Sequence, residues 1–411
     1  MLASSPRLGI LGAGQLGRWL AWQGHSWGYS VTLWHGGETL PLSADAPALA
    51  LGNNNLTALW SDETALAQFA QQVDVATVET EHIPVALLQR LEALGVAVYP
   101  SAKVVGLAQN RVAEKQALTE LGLPVAPYWV ATSHAELAEK LALPTQTYPC
   151  VVKTATGGYD GHGQTTLRTP AEAQTWLASP MAKTPQTWVI EAWLPFVREL
   201  SLLAARNPQG QVVCYPLVEN THHNHVLWQT VAPALNVTPT QAAQAQAMMH
   251  TLLHGWDVVG LLALELFELP LGELVINEVA PRPHNSGHWT LDGATPHQFD
   301  LHWRACLGAP LPTPRLLAPR TLMQNLLGHP QGENSPCPVA GLSLAEVAAC
   351  HSQAVLHRYS KLASRPKRKL GHINLPLTQP TEASNPEPLL ARLHALASGE
   401  LSVTPYATTP A

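Results

Sequence analysis

Short apolar strands and amphipathic helices alternate over the first hundred residues of the chain. The mostly apolar strand Leu8–Leu11 is followed by a glycine-rich turn and by a helical pattern over 18–26. The alternation continues with strands at 30–34, 74–78 and 96–99 and a helix at 85–94. Because strands that alternate with helices pack as a parallel sheet, this region is predicted to be an α/β unit.

Beyond Pro100 the pattern changes to runs of strands interrupted by single helices. Helices are predicted at 111–121, 134–142, 170–178 and 240–256. Strands are predicted at 150–154, 165–168, 187–193, 198–206, 211–218, 260–269 and 273–280. This order favours an antiparallel α+β domain. Prolines become dense at 310–319, which indicates a boundary, and the tail beyond Pro376 is predicted to be partly irregular.

Composition and charge limit the kinds of molecule that the protein is expected to bind. The 411 residues predict two to three domains, since one domain holds about 150 residues. Charged residues make up only 13% of the chain and the formal net charge is −6. The one dense basic run, 365–369, is too short for a nucleic-acid surface and fits a small anion better. We therefore expect small-molecule substrates and no nucleic-acid partner.

Cysteine spacing and hydropathy bear on the compartment. Five cysteines at wide spacings support neither a disulfide framework nor a zinc site. The N-terminus lacks the basic and apolar regions of a signal peptide. The most apolar run, 258–269, is shorter than the ~20 residues that cross a bilayer. These features predict a cytoplasmic protein that does not bind membranes.

The strand at 150–154 carries Lys153 into a loop with four glycines, at 157, 158, 161 and 163. Lysine supplies a point positive charge, and glycines let backbone N–H groups approach a polyphosphate closely. The loop is therefore a candidate phosphate clamp. A hairpin with a surface lysine and a flexible tip explains the same residues without a ligand.

The turn Gly12-Ala-Gly-Gln-Leu-Gly17 matches the dinucleotide fingerprint between a strand and a helix. A dinucleotide site also needs an acidic residue at the end of the second strand, and here Glu38 comes too late. The glycines fit equally a tight turn that presents a helix N-terminus to an anion or forms a substrate wall.

Glu265 and Glu278 are single carboxylates within apolar strands. An unpaired buried carboxylate is costly, so a cation is the economical explanation, and Mg²⁺ suits oxygen ligands combined with nucleotide phosphates. Strand alternation places Asn277 on the opposite face unless the strand is distorted. Glu268 and Glu273, near a turn, are predicted to face solvent. Exposure to solvent would also explain Glu265 and Glu278 without a bound cation.

The loop 281–290 follows directly and is rich in hydrogen-bonding groups. Arg282 can bind an anion through two N–H groups, and the polar residues after it can contact a substrate. They are His284, Asn285, Ser286 and His288. The histidine-rich segment 222–225 is a poor metal site, because adjacent histidines on a strand point apart and no acid or cysteine stands beside them.

These motifs, in this order, resemble the ATP-grasp ligases. Four of them resemble the 5-(carboxyamino)imidazole ribonucleotide synthase family of purine biosynthesis, over about residues 8–375. They are Gly12-x-Gly-Gln-Leu-Gly-Arg18, Thr154-x-x-Gly-Gly-Tyr-Asp-Gly-x-Gly-Gln164, Ala280-Pro-Arg-x-His-Asn-Ser-Gly-His-Trp-Thr290 and Arg368-Lys-Leu-Gly-His-Ile-Asn374. His162 departs from the family, which often has Arg or Lys there.

The resemblance implies an ATP-grasp fold with a Rossmann-like pre-ATP-grasp domain at 1–108. An ATP-grasp domain at 109–312, with a lid at about 120–185, and a small β-rich domain with a tail at 313–411 would follow. It also implies ATP, Mg²⁺ and a homodimer. The implied reaction joins aminoimidazole ribonucleotide to bicarbonate through carboxyphosphate, with release of ADP and phosphate.

Site residues carry over by motif. The implied catalytic residues are Arg282, His284 and Lys153, and the implied metal ligands are Glu265 and Glu278. ATP would contact Arg111, Lys153, Gly158, Tyr159, Asp160, Gly161, His162, Gly163, Gln164, Glu191, Ala192, Trp193, Leu194, Glu199, His222, Asn277 and Glu278. The ribonucleotide and bicarbonate would contact Gln15, Leu16, Asn285, Ser286, His288, Lys361, Arg368 and Lys369.

Three alternatives compete with this interpretation. A related ATP-grasp ligase would use formyl phosphate, although loop 281–290 favours carboxylation. A nicotinamide-dependent oxidoreductase would use the turn 12–17. A non-catalytic nucleotide sensor is disfavoured, because Lys153, Glu265 and Glu278 are all present.

Overall fold

A computed structural model describes residues 5–43, 46–143, 145–158, 161–184, 186–328, 342–361 and 365–398. The N-terminal domain is a five-stranded parallel sheet in the order β3-β2-β1-β4-β5. Its elements are β1 Leu8–Leu11, α1 Gln15–Ser26, β2 Val31–His35, β3 Asn54–Thr57, α2 Glu63–Gln72, β4 Val75–Val78, α3 Val85–Ala93, β5 Ala97–Val98 and α4 Ala102–Gln109. The predicted parallel α/β unit is confirmed.

A second, four-stranded antiparallel sheet has the order β6-β9-β7-β8. It and its helices comprise α5 Arg111–Glu120, β6 Tyr128–Ala131, α6 His134–Ala142, β7 Cys150–Thr154, β8 Gln164–Leu167, α7 Pro170–Leu177, α8 Pro180–Lys183 and β9 Trp188–Ala192. This sheet is the counterpart of the expected lid. It extends beyond residue 185, because β9 is one of its two inner strands.

The third and largest sheet has nine strands, in the order β15-β14-β10-β12-β13-β18-β20-β19 with β11 beside β10. Its first part comprises β10 Arg198–Arg206, β11 Val212–Cys214, β12 Val218–His223, β13 Val226–Ala232, α9 Pro239–Gly255, β14 Gly260–Glu268 and β15 Leu274–Ala280. Helix α9 packs Met249, Leu252 and Leu253 under the sheet against Leu262 and Leu264. The predicted antiparallel α+β domain is confirmed.

The remaining elements are α10 Thr290–Gly293, β16 Ala294–Thr295, α11 Gln298–Cys306, β17 Arg315–Leu316, β18 Arg320–Leu327, α12 Leu344–Cys350, β19 Val355–Arg358, β20 Lys369–Leu377, α13 Pro380–Ser384 and α14 Glu387–Ser398. Among them, β18, β20 and β19 continue the large sheet, whereas β16 and β17 pair with each other in a separate two-stranded sheet. Strand β18 pairs directly with β13. The proline-rich stretch at 310–319 therefore lies between two parts of the chain that contribute strands to the same sheet.

Two contacts attach α11 to the N-terminal domain. The side chain of His302 lies 2.7 Å from the Thr77 hydroxyl on β4, and the Trp303 indole donates to the Leu20 carbonyl at 2.9 Å. Helix α1 and strand β4 are thereby held against α11, which is itself bonded to β14 of the large sheet through His302. No helix in the described parts of the chain is long and apolar enough to cross a membrane.

Two local sequence predictions were wrong. A single strand was expected over 211–218, but the chain forms β11 and β12 with a break at 215–217. Pro216 lies in this break and has no N–H for a sheet ladder. Glu268 was expected to face solvent, but it is only 9% exposed and pairs with Arg198 on the neighbouring strand.

Candidate active site

A cavity of about 980 Å³ is lined by the lid sheet, the large sheet and the segments that follow β1 and β4 of the N-terminal domain. It brings together most of the predicted site residues, although they are far apart in the sequence. They are Gln15, Leu16, Arg111, Lys153, Gly158, Gly161, His162, Gln164, Glu191, Ala192, Trp193, Leu194, Glu199, His222, Glu265, Asn277, Glu278, Arg282, His284, Asn285, Lys361 and Lys369. Gly163, Ser286, His288 and Arg368 do not line it. Tyr159 and Asp160 lie outside the described residues.

The glycine loop closes one side of the cavity between β7 and β8. Gly161 and Gly163 have φ angles of +83° and +75°, a region that side chains rarely adopt. A Cβ atom on Gly161 would also collide with His225 at the tip of the β12–β13 hairpin. Gln164 lies 3.3 Å from the ring of the same histidine. The loop therefore touches the large sheet across the cavity.

Two buried lysines share one glutamate at the base of the lid sheet. The Lys153 ammonium lies 3.0 Å from one oxygen of Glu191, and the Lys115 ammonium lies 3.2 Å from the other. Burial alone would raise the pKa of Glu191, but the two lysines hold it at about 2. Burial lowers the pKa of Lys153, although the charge of Glu191 acts to raise it. The cluster thus carries a surplus positive charge that suits a phosphate.

A second pair of charges connects α5 to β15. The Arg111 guanidinium lies 3.5 Å from Glu278. Glu114, one helical turn further on, accepts a hydrogen bond of 2.6 Å from the Val279 amide. Burial raises the pKa of Glu114 to about 7, despite the opposing charge of Arg111. Sequence reasoning missed Glu114 and Lys115, whose only signal is a glutamate and a lysine on an otherwise ordinary amphipathic helix.

Glu265 and Glu278 are directly opposite each other on β14 and β15. The register shifts beside them, so that Leu266 pairs with Ile276 and Asn277 is the extra residue of a β-bulge. The bulge lets Asn277 and Glu278 both line the cavity, contrary to simple alternation. Burial, followed by the charge of Glu278, raises the pKa of Glu265 to about 7.

His222 pairs with Glu199 at the other end of the cavity, at 2.6 Å. Burial alone would lower the pKa of His222, but the hydrogen bond to Glu199 and the nearby charge of Glu265 raise it. Trp193 and Phe196 also line this end, and Phe196 stacks on Phe267 at 4.3 Å. This end of the cavity therefore combines the aromatic surfaces of Trp193 and Phe196 with the carboxylates of Glu199 and Glu265.

The loop after β15 places Arg282 and His284 in the cavity wall. Arg282 pairs with Glu81, which follows β4 of the N-terminal domain. Burial alone would raise the pKa of Glu81, but Arg282 lowers it to about 2. The backbone of His284 is clamped by the side chain of Gln298, which accepts from its N–H at 2.9 Å and donates to its carbonyl at 3.0 Å. Glu81 is another residue that the sequence analysis missed.

Ser286 and His288 lie behind the wall, at 1% and 0% exposure. His288 stacks on His372 of β20 at 4.7 Å. Burial, followed by the charge of His357, lowers the pKa of His288 to about 3. Both residues were predicted to contact substrate directly. In the structure they support the loop from inside.

The turn at 12–17 already binds a carboxyl group of the protein itself. The Gly14 and Gly17 amides donate to the two carboxylate oxygens of Glu79, the latter at 2.7 Å. A Cβ on Gly12 or Gly14 would collide with this carboxylate. Burial raises the pKa of Glu79, although the Gly17 and Gly14 amides oppose it. A dinucleotide pyrophosphate would need the space that Glu79 fills.

Basic residues of the C-terminal region reach the same end of the cavity. The Lys361 ammonium donates to the side chain of Gln15 at 2.8 Å. Lys369, the first residue of β20, also lines the cavity, whereas Arg368 next to it does not. The start of α1 and the basic residues of the C-terminal region therefore line the same polar part of the cavity.

Three family models match consecutive parts of the chain. The ribonucleotide synthetase preATP-grasp domain matches residues 6–109, the ATP-grasp domain 116–299, and the phosphoribosylaminoimidazole carboxylase C-terminal domain 321–385. The fold and these matches define an ATP-grasp ligase, an enzyme that binds ATP.

Relatives and solved structures narrow the class. N5-carboxyaminoimidazole ribonucleotide synthases of Vibrio cholerae and Pseudomonas aeruginosa are each 38% identical, over 90% of this chain and 90% and 94% of their own lengths. The structure of the Thermus thermophilus synthetase is 37% identical, with a TM-score of 0.82 over 97% of this chain and 99% of that one.

The Aspergillus clavatus synthase, solved in complex with ADP and 5-aminoimidazole ribonucleotide, is 27% identical with a TM-score of 0.80, over 95% of this chain and 99% of that one. The chain belongs to the N5-carboxyaminoimidazole ribonucleotide synthase family. It catalyses the ATP-dependent carboxylation of aminoimidazole ribonucleotide in purine biosynthesis.

Proposed function

We propose that the cavity activates bicarbonate with ATP and Mg²⁺ and transfers the carboxyl group to the amine of aminoimidazole ribonucleotide. Bicarbonate is a poor electrophile, and phosphorylation to carboxyphosphate makes its carbon reactive. The observation that carries the proposal is that one cavity holds the lysine-bearing lid, the acid pair and the Arg282 loop.

Glu265 and Glu278 fit a magnesium ion that is shared with nucleotide phosphates. The two carboxylates lie opposite each other, and burial followed by the charge of Glu278 raises the pKa of Glu265. A cation bound beside them would offset both the burial and the repulsion of the two charges. Among the described residues there is no group of three or more His, Cys, Asp or Glu side chains placed to hold a metal. Mg²⁺ commonly uses one or two carboxylates and completes its shell with phosphates and water. When bound, it would spread the charge of the transferred phosphoryl group.

We assign ATP to the end of the cavity between the lid and the large sheet. Lys153 and Arg111 face the phosphates, together with the glycine loop from 158 to 164. Residues 191–194, Glu199 and His222 surround the adenosine, where Trp193 and Phe196 supply the apolar surface. Closure of the loop over the phosphates would exclude water from the reactive carboxyphosphate.

Bicarbonate is assigned to Arg282 and His284. The guanidinium can hold a carboxylate oxygen, and burial together with the charges of Arg282 and Lys369 holds the pKa of His284 well below its usual range. The ribonucleotide would lie between Gln15, Leu16 and Asn285 on one side and the basic Lys361 and Lys369 on the other, with Arg368 next to Lys369 but outside the cavity wall. Ser286 and His288 support this wall from behind.

Replacing Lys369 with Ala tests the assignment of the ribonucleotide phosphate. We expect the KM for the ribonucleotide to rise about 10- to 100-fold, since hydrogen bonds to charged groups contribute ~1.5–3 kcal/mol. The KM for ATP should change little. Lys367→Ala, an exposed lysine two residues away, is the matched control. An increase confined to the ATP constant would place the basic cluster in the other site.

The resemblance to the family also supports a homodimer in the cytoplasm. Light scattering at twice the 44.2 kDa of the chain would support the dimer. A monomer mass at all concentrations would contradict it.

A further inference from the structure

A chain of hydrogen bonds runs from the interior of the large sheet to His284. The Thr230 hydroxyl lies 2.9 Å from Asn220 Oδ1, and Asn220 Nδ2 lies 2.9 Å from the Ser201 hydroxyl. The Ser201 hydroxyl lies 2.8 Å from that of Ser286, which in turn lies 2.8 Å from His284 Nδ1. The four supporting side chains are between 0% and 6% exposed. Three adjacent strands, β13, β12 and β10, are therefore connected to the loop 281–290, which carries His284.

The direction of each bond follows from the groups in the chain. An amide oxygen only accepts, so Thr230 donates to Asn220, and an amide nitrogen only donates, so Ser201 accepts. Because the Ser201 hydroxyl accepts from Asn220, its one hydrogen is available for Ser286, and the direction from Ser201 to Ser286 is set by the acceptor at the end of the chain, His284 Nδ1. The hydroxyl of Ser286 then donates to His284 Nδ1.

The backbone supplies a second donor to His284 Nδ1, at the end of this chain of hydrogen bonds. The backbone N–H of Ser286 also points at His284 Nδ1, at 3.3 Å, where the histidine side chain caps the short turn Asn285–Gly287. A ring nitrogen that accepts a hydrogen bond from a backbone N–H carries no hydrogen itself. Reversing the Asn220 amide would leave this backbone donor in place, but its bond is the longer of the two, at 3.3 Å against 2.8 Å for the Ser286 hydroxyl, so the hydroxyl chain supplies the stronger constraint. In a neutral ring the hydrogen must therefore lie on Nε2, which is 3.2 Å from Glu265 Oε1.

We infer that Thr230, Asn220 and Ser201 are positioning residues that hold His284 as its Nε2–H tautomer. His284 then donates a hydrogen bond from Nε2 to an oxygen in the cavity, and it does not accept a proton at that atom. That this oxygen belongs to bicarbonate or to carboxyphosphate rests on the proposed function. The assignment of the tautomer does not depend on the proposed function.

Nitrogen NMR of the full chain labelled with ¹⁵N-histidine tests the inference. The ring signals of His284 are identified by their loss in His284→Gln. We expect a protonated Nε2 and an unprotonated Nδ1. Ser201→Ala breaks the chain, so a population with the hydrogen on Nδ1 should appear, and kcat should fall about tenfold, equivalent to ~1.4 kcal/mol. The KM for ATP should stay unchanged.

Thr321→Val is the matched control. Its hydroxyl is buried, at 1% exposure, and has no partner among the described residues, on the strand that pairs with β13. It should change neither the tautomer nor kcat. Thr230→Val, which removes the far end of the chain, is the second variant if Ser201→Ala does not fold, and it should shift the tautomer in the same direction.

A hydrogen on Nδ1 in the unchanged protein would overturn the inference. It would also be overturned if the chain variants kept the original tautomer and full kcat, or if Thr321→Val lowered kcat equally. If the Nε2–H tautomer is found but no carboxylation is detected, the inference stands and the proposed function fails.

Discussion

Replacing Glu278 with Gln should reduce turnover by about 100-fold or more, because a magnesium ligand contributes several kcal/mol to phosphoryl transfer. The substitution keeps the size of the side chain but removes its charge. The fold should persist, since this side chain is 39% exposed and its ion pair with Arg111 is long, at 3.5 Å. Initial rates of ADP release over a range of Mg²⁺ concentrations measure the effect.

Glu273→Gln is the matched control for this variant. Glu273 is an exposed acid just before the same strand. It should retain normal turnover and normal dependence on Mg²⁺. Near-normal turnover of Glu278→Gln under the same conditions would remove Glu278 from the metal site.

Replacing Lys153 with Met should raise the KM for ATP by about 10- to 100-fold, since a charged hydrogen bond to phosphate contributes ~1.5–3 kcal/mol. The buried Glu191 would keep Lys115 as its partner, at 3.2 Å. No carboxylate is then left buried without a counter-charge, so the loss should appear in ATP binding and turnover. Calorimetric titration with ADP, beside a thermal melt, separates these effects.

Lys183→Met changes an exposed lysine of the same lid region and should leave ADP affinity unaltered. If Lys153→Met bound ADP as tightly as the unchanged protein, the glycine loop would be a hairpin tip and not a phosphate clamp.

The sequence predicted the architecture well where local pattern determines it. Strand and helix periodicity located the parallel unit, and Lys153, Glu265 and Glu278 were recognised because charged residues are rare in apolar strands. The function was predicted from the order of the motifs and their resemblance to a known family, because composition and periodicity alone left it open. These residues converge on the cavity as expected.

Other features depended on contacts that a linear pattern does not contain. Simple alternation placed Asn277 on the wrong face, because a β-bulge is set by the partner strand. The polarity of the loop did not show that His288 turns inward onto His372. The glycine turn resembled a dinucleotide site, and only the fold revealed that Glu79, from another strand, occupies it.

Incorporation of labelled bicarbonate tests the proposed reaction most directly. With aminoimidazole ribonucleotide and MgATP, we predict that one label enters the ribonucleotide product for each ADP released. Omission of any one substrate should abolish labelling. An equal product yield in bicarbonate-depleted buffer, or ADP release without labelled product, would contradict the proposed carboxylation.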